Sequence, residues 1–457
     1  MSQPLADRDG ISLSSTSSTS SPKRALGILS LTTLLVCSHY GLGFILGTAE
    51  QSVLVGTSGS LYAVSLSIGF LALLLLARFY WQSVDQIWTL LGNQYGNLVK
   101  TAIALMSWVS LIGIAAVQMI SAAAIFSVFG FAGQLTMAGL AIALCLLSLV
   151  PVERASQVFR GLLLFNVGTL LYALWRLRGL PQLGLAPLQF FPDLRQVDWC
   201  YELGISIATI LIVMVDMKCQ QFIVQAKTVR VAYWGCVLAA IVLFGLAFLP
   251  TTVVLVSQHR DIIPENLPNK QVLPYILSWV GGGVNHWQGC LFILSLAVPA
   301  LGIGSNIFRI QTKTLLDLEI TPRIPYRRVC FTILNVLFAL GIALRGGEIV
   351  GLIVNFYAAY VSSVWIPLGA YLLMQSSIYT FSQRSVQSAL LVSAIASIAT
   401  LGITLLNPQT ILFNSSELTI LLIGMGTGCT ALLFTHLLIQ TWTVCRAKSS
   451  REGGTAS

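Results

Sequence analysis

Long, nearly uninterrupted apolar runs recur along the chain, each close to the roughly 20 residues an α-helix needs to cross a bilayer. Twelve such runs predict helical crossings, over approximately 26–57, 60–81, 98–129, 133–152, 157–177, 202–225, 231–257, 284–310, 328–345, 348–375, 385–406 and 415–441. None shows the ~10-residue apolar/polar alternation of an outer-membrane barrel strand. Only helices and closed barrels satisfy their backbone in lipid, so the expected fold is an all-α multi-pass membrane protein. The first run is too long for one straight crossing. It also carries Tyr40-Gly41-Leu42-Gly43 and Gly47, and is expected to be interrupted.

Composition strengthens this picture. Of the 457 residues, 56% are hydrophobic and 9% charged, against about 25% charged in soluble domains. This excludes a soluble enzyme, a nucleic-acid-binding domain and a disordered chain. The net charge of +9 is explained by basic residues gathered on one side of a membrane. With the N-terminus in the cytoplasm, 19 of the 25 Lys and Arg fall inside and 6 outside. The positive-inside rule then favours twelve crossings of the cell membrane with both termini cytoplasmic. Residues 1–25 are Ser/Thr-rich and too polar to pack, and are expected to form a disordered tail. Residues 26–375 would hold a ten-helix core, 376–445 two peripheral crossings, and 446–457 a cytoplasmic tail. Nine scattered cysteines with no CxxC read as small packing residues. Two long outer connections, 178–201 and 258–283, are amphipathic and either lie over the outer surface as lids or merely connect.

Polar groups inside the bilayer are costly, so they mark candidate chemistry. In the first run, glycines let the helix unwind and bare its carbonyls, and a half-helix resuming near Thr48 would offer free N–H groups. Glu50 and Gln51 would then stand in its first turn, ready to hydrogen-bond a polar solute; the alternative is a glycine surface for close helix packing. In the sixth run, Asp216 and Lys218 stand near the cytoplasmic end, as an ion pair, an ion site or a gate latch. The alternative is a helix end with Lys218 reaching headgroup water. In the eighth run, Ser305 and Asn306 offer neutral oxygens of the kind Na⁺ accepts. Gln118, Ser121, Asn166, Asn335, Asn355 and Ser362–Ser363 read mainly as interhelical hydrogen bonds, with Gln118 also a candidate for the solute. No HExxH, GxSxG or phosphate-binding glycine loop occurs, so no enzyme chemistry is predicted.

These same residues resemble the sodium:solute symporter family. Gly47-Thr48-Ala49-Glu50-Gln51, Gly56-Thr57-Ser58-Gly59 and Tyr62 are similar to the family's broken first core helix. Asp216, Gln221 and Ala226-Lys227 look like its D-Q-x-x-x-Q-R…A-K stretch, although Met217 and Phe222 replace the usual Gln and Arg. Leu273-Pro274, Gly289 and Thr314-Leu315-Leu316-Asp317-Leu318 look like its later run. The resemblance covers roughly 40–320. It implies a leucine-transporter-like core of five helices and five inverted ones, with the first and sixth discontinuous, plus two C-terminal helices. It further implies symport of a small polar solute with Na⁺, the cation held by carbonyls of Phe44 and Gly47 and the Ser305 hydroxyl. Leu301 and Gly302 stand where the family's Ser-Thr pair is usual. The expected partners are the solute and the lipid bilayer, with no nucleic acid and no cofactor beyond Na⁺ as a coupling ion. Two other readings stay open: a sodium-independent carrier with Asp216 or Glu50 as a gating or proton-carrying group, and a sensor or partner subunit that binds without transporting.

Overall fold

The computed structural model describes residues 24–83, 86–149, 153–318, 326–407 and 411–452. Residues 1–23 of the expected N-terminal tail and the final five residues lie outside these. Apart from one isolated bridge, Leu26 with Ala226, the described residues form helices and their connections.

The first crossing is broken. Helix α1 (Ile28–His39) and helix α2 (Leu42–Val55) meet end to end at Tyr40–Gly41. In an unbroken helix the Gly41 N–H would reach the Cys37 carbonyl; here it bonds the His39 carbonyl at 2.9 Å. The chain then reverses through a 3₁₀ turn, Gly56–Ser60, and returns as α3 (Leu61–Ala72) and α4 (Leu74–Gln82). A Cβ on Gly59 would collide with the Ser52 backbone, so this tight reversal needs glycine. Both limbs are pinned to the same neighbour. Ser52 and Ser60 each hydrogen-bond the Thr251 hydroxyl, at 2.8 and 2.7 Å. At the other face of the molecule, Leu26 N–H donates to the Gln225 carbonyl and the Trp81 indole to the Ala226 carbonyl, both at 3.0 Å.

A short helix, α5 (Ile87–Tyr95), leads into α6 (Asn97–Ser127), α7 (Gly133–Leu149) and α8 (Glu153–Arg176). These complete the first five crossings. Helix α9 (Leu180–Leu194) lies over the 56–60 turn, where Asp193 accepts hydrogen bonds from the Thr57 N–H and hydroxyl. The sixth crossing is also broken, into α10 (Trp199–Val215) and α11 (Met217–Val224) at Asp216. Helix α12 (Val229–Gln258), the short, mostly buried helix α13 (Val272–Val280), and the crossings α14 (Trp287–Asp317), α15 (Arg327–Arg345) and α16 (Ile349–Gln375) follow. Helices α17 (Gln383–Leu406) and α18 (Ser416–Glu452) pack on each other and on α16.

Among the described residues, nine helical stretches are long and apolar enough to cross a membrane. One of them, Leu42–Ala72, is α2 and α3 joined through the reversal, and so contributes to two crossings. Pairing the half-helices and adding α7 and α8 gives twelve. The first crossing ends where Ser52 meets Thr251. The sixth starts on that face and ends beside Leu26, so the second five run opposite to the first. This is a multi-pass membrane protein with a five-plus-five inverted core. Helices α6 and α16 are its most enclosed crossings, while α15 turns most of its surface outward.

Candidate functional site

The two breaks face each other. At about 1.5 Å per residue, α1 and α2 are of similar length and put Tyr40–Gly41 near the middle of the first crossing, and α10 brings Asp216 alongside. At Asp216 the backbone turns extended (φ −66°, ψ 121°). The Lys218 N–H, which a continuous helix would give to the Met214 carbonyl, goes to Asp216 Oδ1 at 2.8 Å. The vacated Met214 carbonyl accepts instead from the Tyr80 hydroxyl at 2.7 Å. The side chain that starts α11 thus replaces a main-chain bond, and a tyrosine from α4 satisfies the carbonyl left behind.

Asp216 Oδ2 lies 3.2 Å from Lys218 Nζ and 3.5 Å from His39 Nε2, the last residue of α1. Cys219 Sγ stands 3.9 Å from the same imidazole nitrogen. The ring is held from behind, its Nδ1 3.1 Å from the Leu35 carbonyl, and Phe70 packs edge-on against it. Two cavity lobes open beside this cluster and share Ile114, Lys218 and Tyr357. One is lined by His39, Gly41, Phe44 and Gln118, the other by Asp216, Ser107, Ser110 and Tyr360. Gln118 is 2% exposed, and its Oε1 has no partner among the described residues, so the cavity holds an acceptor awaiting a donor.

The structure rearranges several sequence expectations. The half-helix resumes at Leu42, not near Thr48, because the break falls at Tyr40–Gly41. The carbonyls of Phe44 and Gly47 therefore lie within the regular helix α2. Phe44 lines the cavity, whereas Gly47 packs against Ile349 and Val350. Glu50 and Gln51 move to the last turns of α2. Glu50 Oε2 accepts the Ile349 N–H at 3.0 Å, at the start of α16, and Gln51 Nε2 reaches Glu348 Oε2 at 3.3 Å. Gln51 lines a separate small cleft nearer that face, with Tyr62 and Tyr201. On α14, Ile303 and Ile307 face the cavity, while the Ser305 hydroxyl donates to the Gly302 carbonyl at 3.2 Å. Of the candidates named from sequence, the structure brings Phe44, Gln118, Asp216 and Lys218 to the cavity. Asp216 follows the last residue of α10, Val215, and caps a further half-helix, α11, that continues beyond it.

Sequence reasoning gave His39 no role, and left Lys218 open between a partner of Asp216 and a helix end reaching headgroup water; the structure pairs it with Asp216. An ionisable ring closing an apolar run just before Tyr-Gly-Leu-Gly was the available signal. The aromatic hydroxyl of Tyr357, which lines both lobes, gave no separable signal among 13 tyrosines.

No family model matches the chain, and no curated protein matches it in sequence. Solved structures do match in fold. A Na⁺-coupled sialic acid symporter, in a substrate-bound outward-open state, is 10% identical with a TM-score of 0.55, covering 91% of this chain and 98% of that one. A manganese transporter from Eremococcus coleocola is 14% identical with a TM-score of 0.50, covering 91% and 93%. A histidine-to-alanine mutant of that transporter is 12% identical, also with a TM-score of 0.50, covering 92% and 94%. At these identities the likeness is one of fold, and it extends over nearly the whole chain.

Proposed function

We propose that this protein is a secondary transporter in the cell membrane. It carries a small polar solute by alternating access, with both termini in the cytoplasm. The observation that carries this reading is the pair of broken crossings whose ends meet beside a cavity lined by ionisable and amide side chains. Interrupted helices are tolerated at membrane depth only where the freed backbone lines a cavity or is satisfied by protein. The solute would sit between α1–α2, α6, α10–α11 and α14, against His39, Gln118 and Lys218. Asp216 would act as the latch between the two breaks, and Glu50 and Gln51 would hold α2 to the start of α16 as part of an outer gate.

Two coupling readings follow from particular observations. Sodium-independent transport is supported by the position of the Ser305 hydroxyl, turned onto its own helix while isoleucines face the break. It is further supported by Lys218, whose ammonium lies 3.2 Å from the Asp216 carboxylate. Sodium symport is supported by the fold shared with the sialic acid symporter and by the backbone freed at Tyr40–Gly41. Uptake into proteoliposomes under a Na⁺ gradient, a pH gradient or neither separates them. Sodium-independent carriage predicts accumulation unchanged by Na⁺, whereas a strict requirement for Na⁺ would establish symport. Failure of every tested solute to cross, with binding intact, would favour a sensor.

A further inference from the structure

We infer that His39, Asp216 and Cys219 form a binding site for a divalent transition-metal ion at the junction of the two broken crossings. The argument begins with the imidazole tautomer. Ser38 Oγ donates its proton to the Leu35 carbonyl at 2.8 Å, and that carbonyl lies 3.1 Å from His39 Nδ1. Ser38 Oγ also lies 2.8 Å from Nδ1. Both neighbours of Nδ1 therefore act as acceptors, and Nδ1 carries the ring proton. In the neutral ring, Nε2 presents its lone pair to Asp216 Oδ2 at 3.5 Å and Cys219 Sγ at 3.9 Å.

Three donors of three chemical types thus converge, all within 4.8 Å of one another. A carbonyl fixing Nδ1–H behind a ring whose Nε2 points at other donors is the outer-shell arrangement typical of a metal-binding histidine. Imidazole, carboxylate and thiolate together suit Zn²⁺ or Co²⁺ and disfavour Mg²⁺ and Ca²⁺, which take oxygen ligands. Distances of 3.5 and 3.9 Å between donor atoms are close to the separations expected around one tetrahedral ion with bonds of about 2.0–2.3 Å.

Lys218 is the competing cation, 3.2 Å from Asp216 Oδ2. Its side chain is 24% exposed and lines both cavity lobes, so the ammonium has space to withdraw when an ion arrives. As the metal–sulfur bond forms, the Cys219 thiol releases its proton to water. The inference rests on the carrier reading only in naming the ion as cargo; binding itself does not depend on transport.

The test is Co²⁺ titration of the full-length protein, purified in lipid nanodiscs, followed by absorption. A thiolate-to-cobalt charge-transfer band should grow to saturation at one ion per chain. The band should vanish in Cys219→Ser, and the affinity should fall at least tenfold in His39→Ala. If Cys219→Ser does not fold, Lys218→Met provides the second reading, since removal of the competing ammonium should tighten Co²⁺ binding. Absence of the band in monodisperse wild-type protein, or its persistence in folded Cys219→Ser, would overturn the site. Saturable binding without uptake of radioactive zinc would leave the site standing and overturn the ion as cargo.

Discussion

His39 and Asp216 meet, Nε2 to Oδ2 at 3.5 Å, at the two points where membrane crossings abandon their helices. One closes α1 and the other opens α11, so a single contact ties together the two discontinuities of the fold. The ion pair beside it, Asp216 with Lys218, holds only while both sides keep their partners, because each is poorly hydrated. Any movement of one half-helix against the other must remake the contact between His39 and Asp216.

Removing the carboxylate tests the latch. Asp216→Asn leaves Lys218 without its countercharge and weakens the α11 cap. Loss of a fully buried pair costs about 3–5 kcal/mol. With side chains 14% and 24% exposed, the cost should be lower, about 1–3 kcal/mol after discounting for screening. Thermal unfolding in detergent should show the loss, and Asp216→Asn/Lys218→Met should recover part of it. Uptake should be abolished in the single variant.

Filling the first break should block the cavity. A Cβ on Gly41 would lie 2.8 Å from Ile303 Cδ1 and 3.9 Å from Gln118 Nε2. Gly41→Val is expected to abolish uptake, while Gly245→Ala, where a Cβ meets open space, should transport normally. Equal activity of the two variants in a proteoliposome assay would place the pathway elsewhere.

Glu50 distinguishes a gate from a ligand. Its carboxylate accepts the Ile349 N–H, and Glu50→Gln keeps an acceptor there, so stability should change little. Glu50→Ala leaves that amide unsatisfied and should cost about 1–3 kcal/mol. If Glu50→Gln instead eliminated cargo binding at unchanged melting temperature, Glu50 would be a direct ligand.

Helix α9 is fastened over the first reversal by Asp193 and Thr57. Asp193→Ala should release that fastening and leave the Thr57 amide exposed to water. A cysteine placed at Ser58 should then react faster with a membrane-impermeant maleimide than it does with Asp193 present. An unchanged rate would make α9 a simple connector.

Much of this architecture is legible in the sequence because lipid imposes a severe local rule. A crossing must be apolar, long and internally hydrogen-bonded, so twelve runs mark twelve crossings, and Tyr40-Gly41-Leu42-Gly43 marks the first discontinuity. Gln118 could likewise be singled out as polar cost inside an apolar helix. The second discontinuity is less visible, because Asp216 follows Val215 without a glycine or proline to announce it.

What only the tertiary structure decides is which polar groups share a site. His39 and Cys219 are 180 positions apart, and no periodicity in either run reports their proximity. Lys218 reads equally as a partner of Asp216 or as a snorkelling residue until α10 is seen to stop at Val215, and Glu50 reads as a solute ligand until the start of α16 is found against it. The physical reason is the same in each case. The membrane dictates hydrophobicity residue by residue, whereas the cost of a buried charge is settled by the partner that packing brings to it.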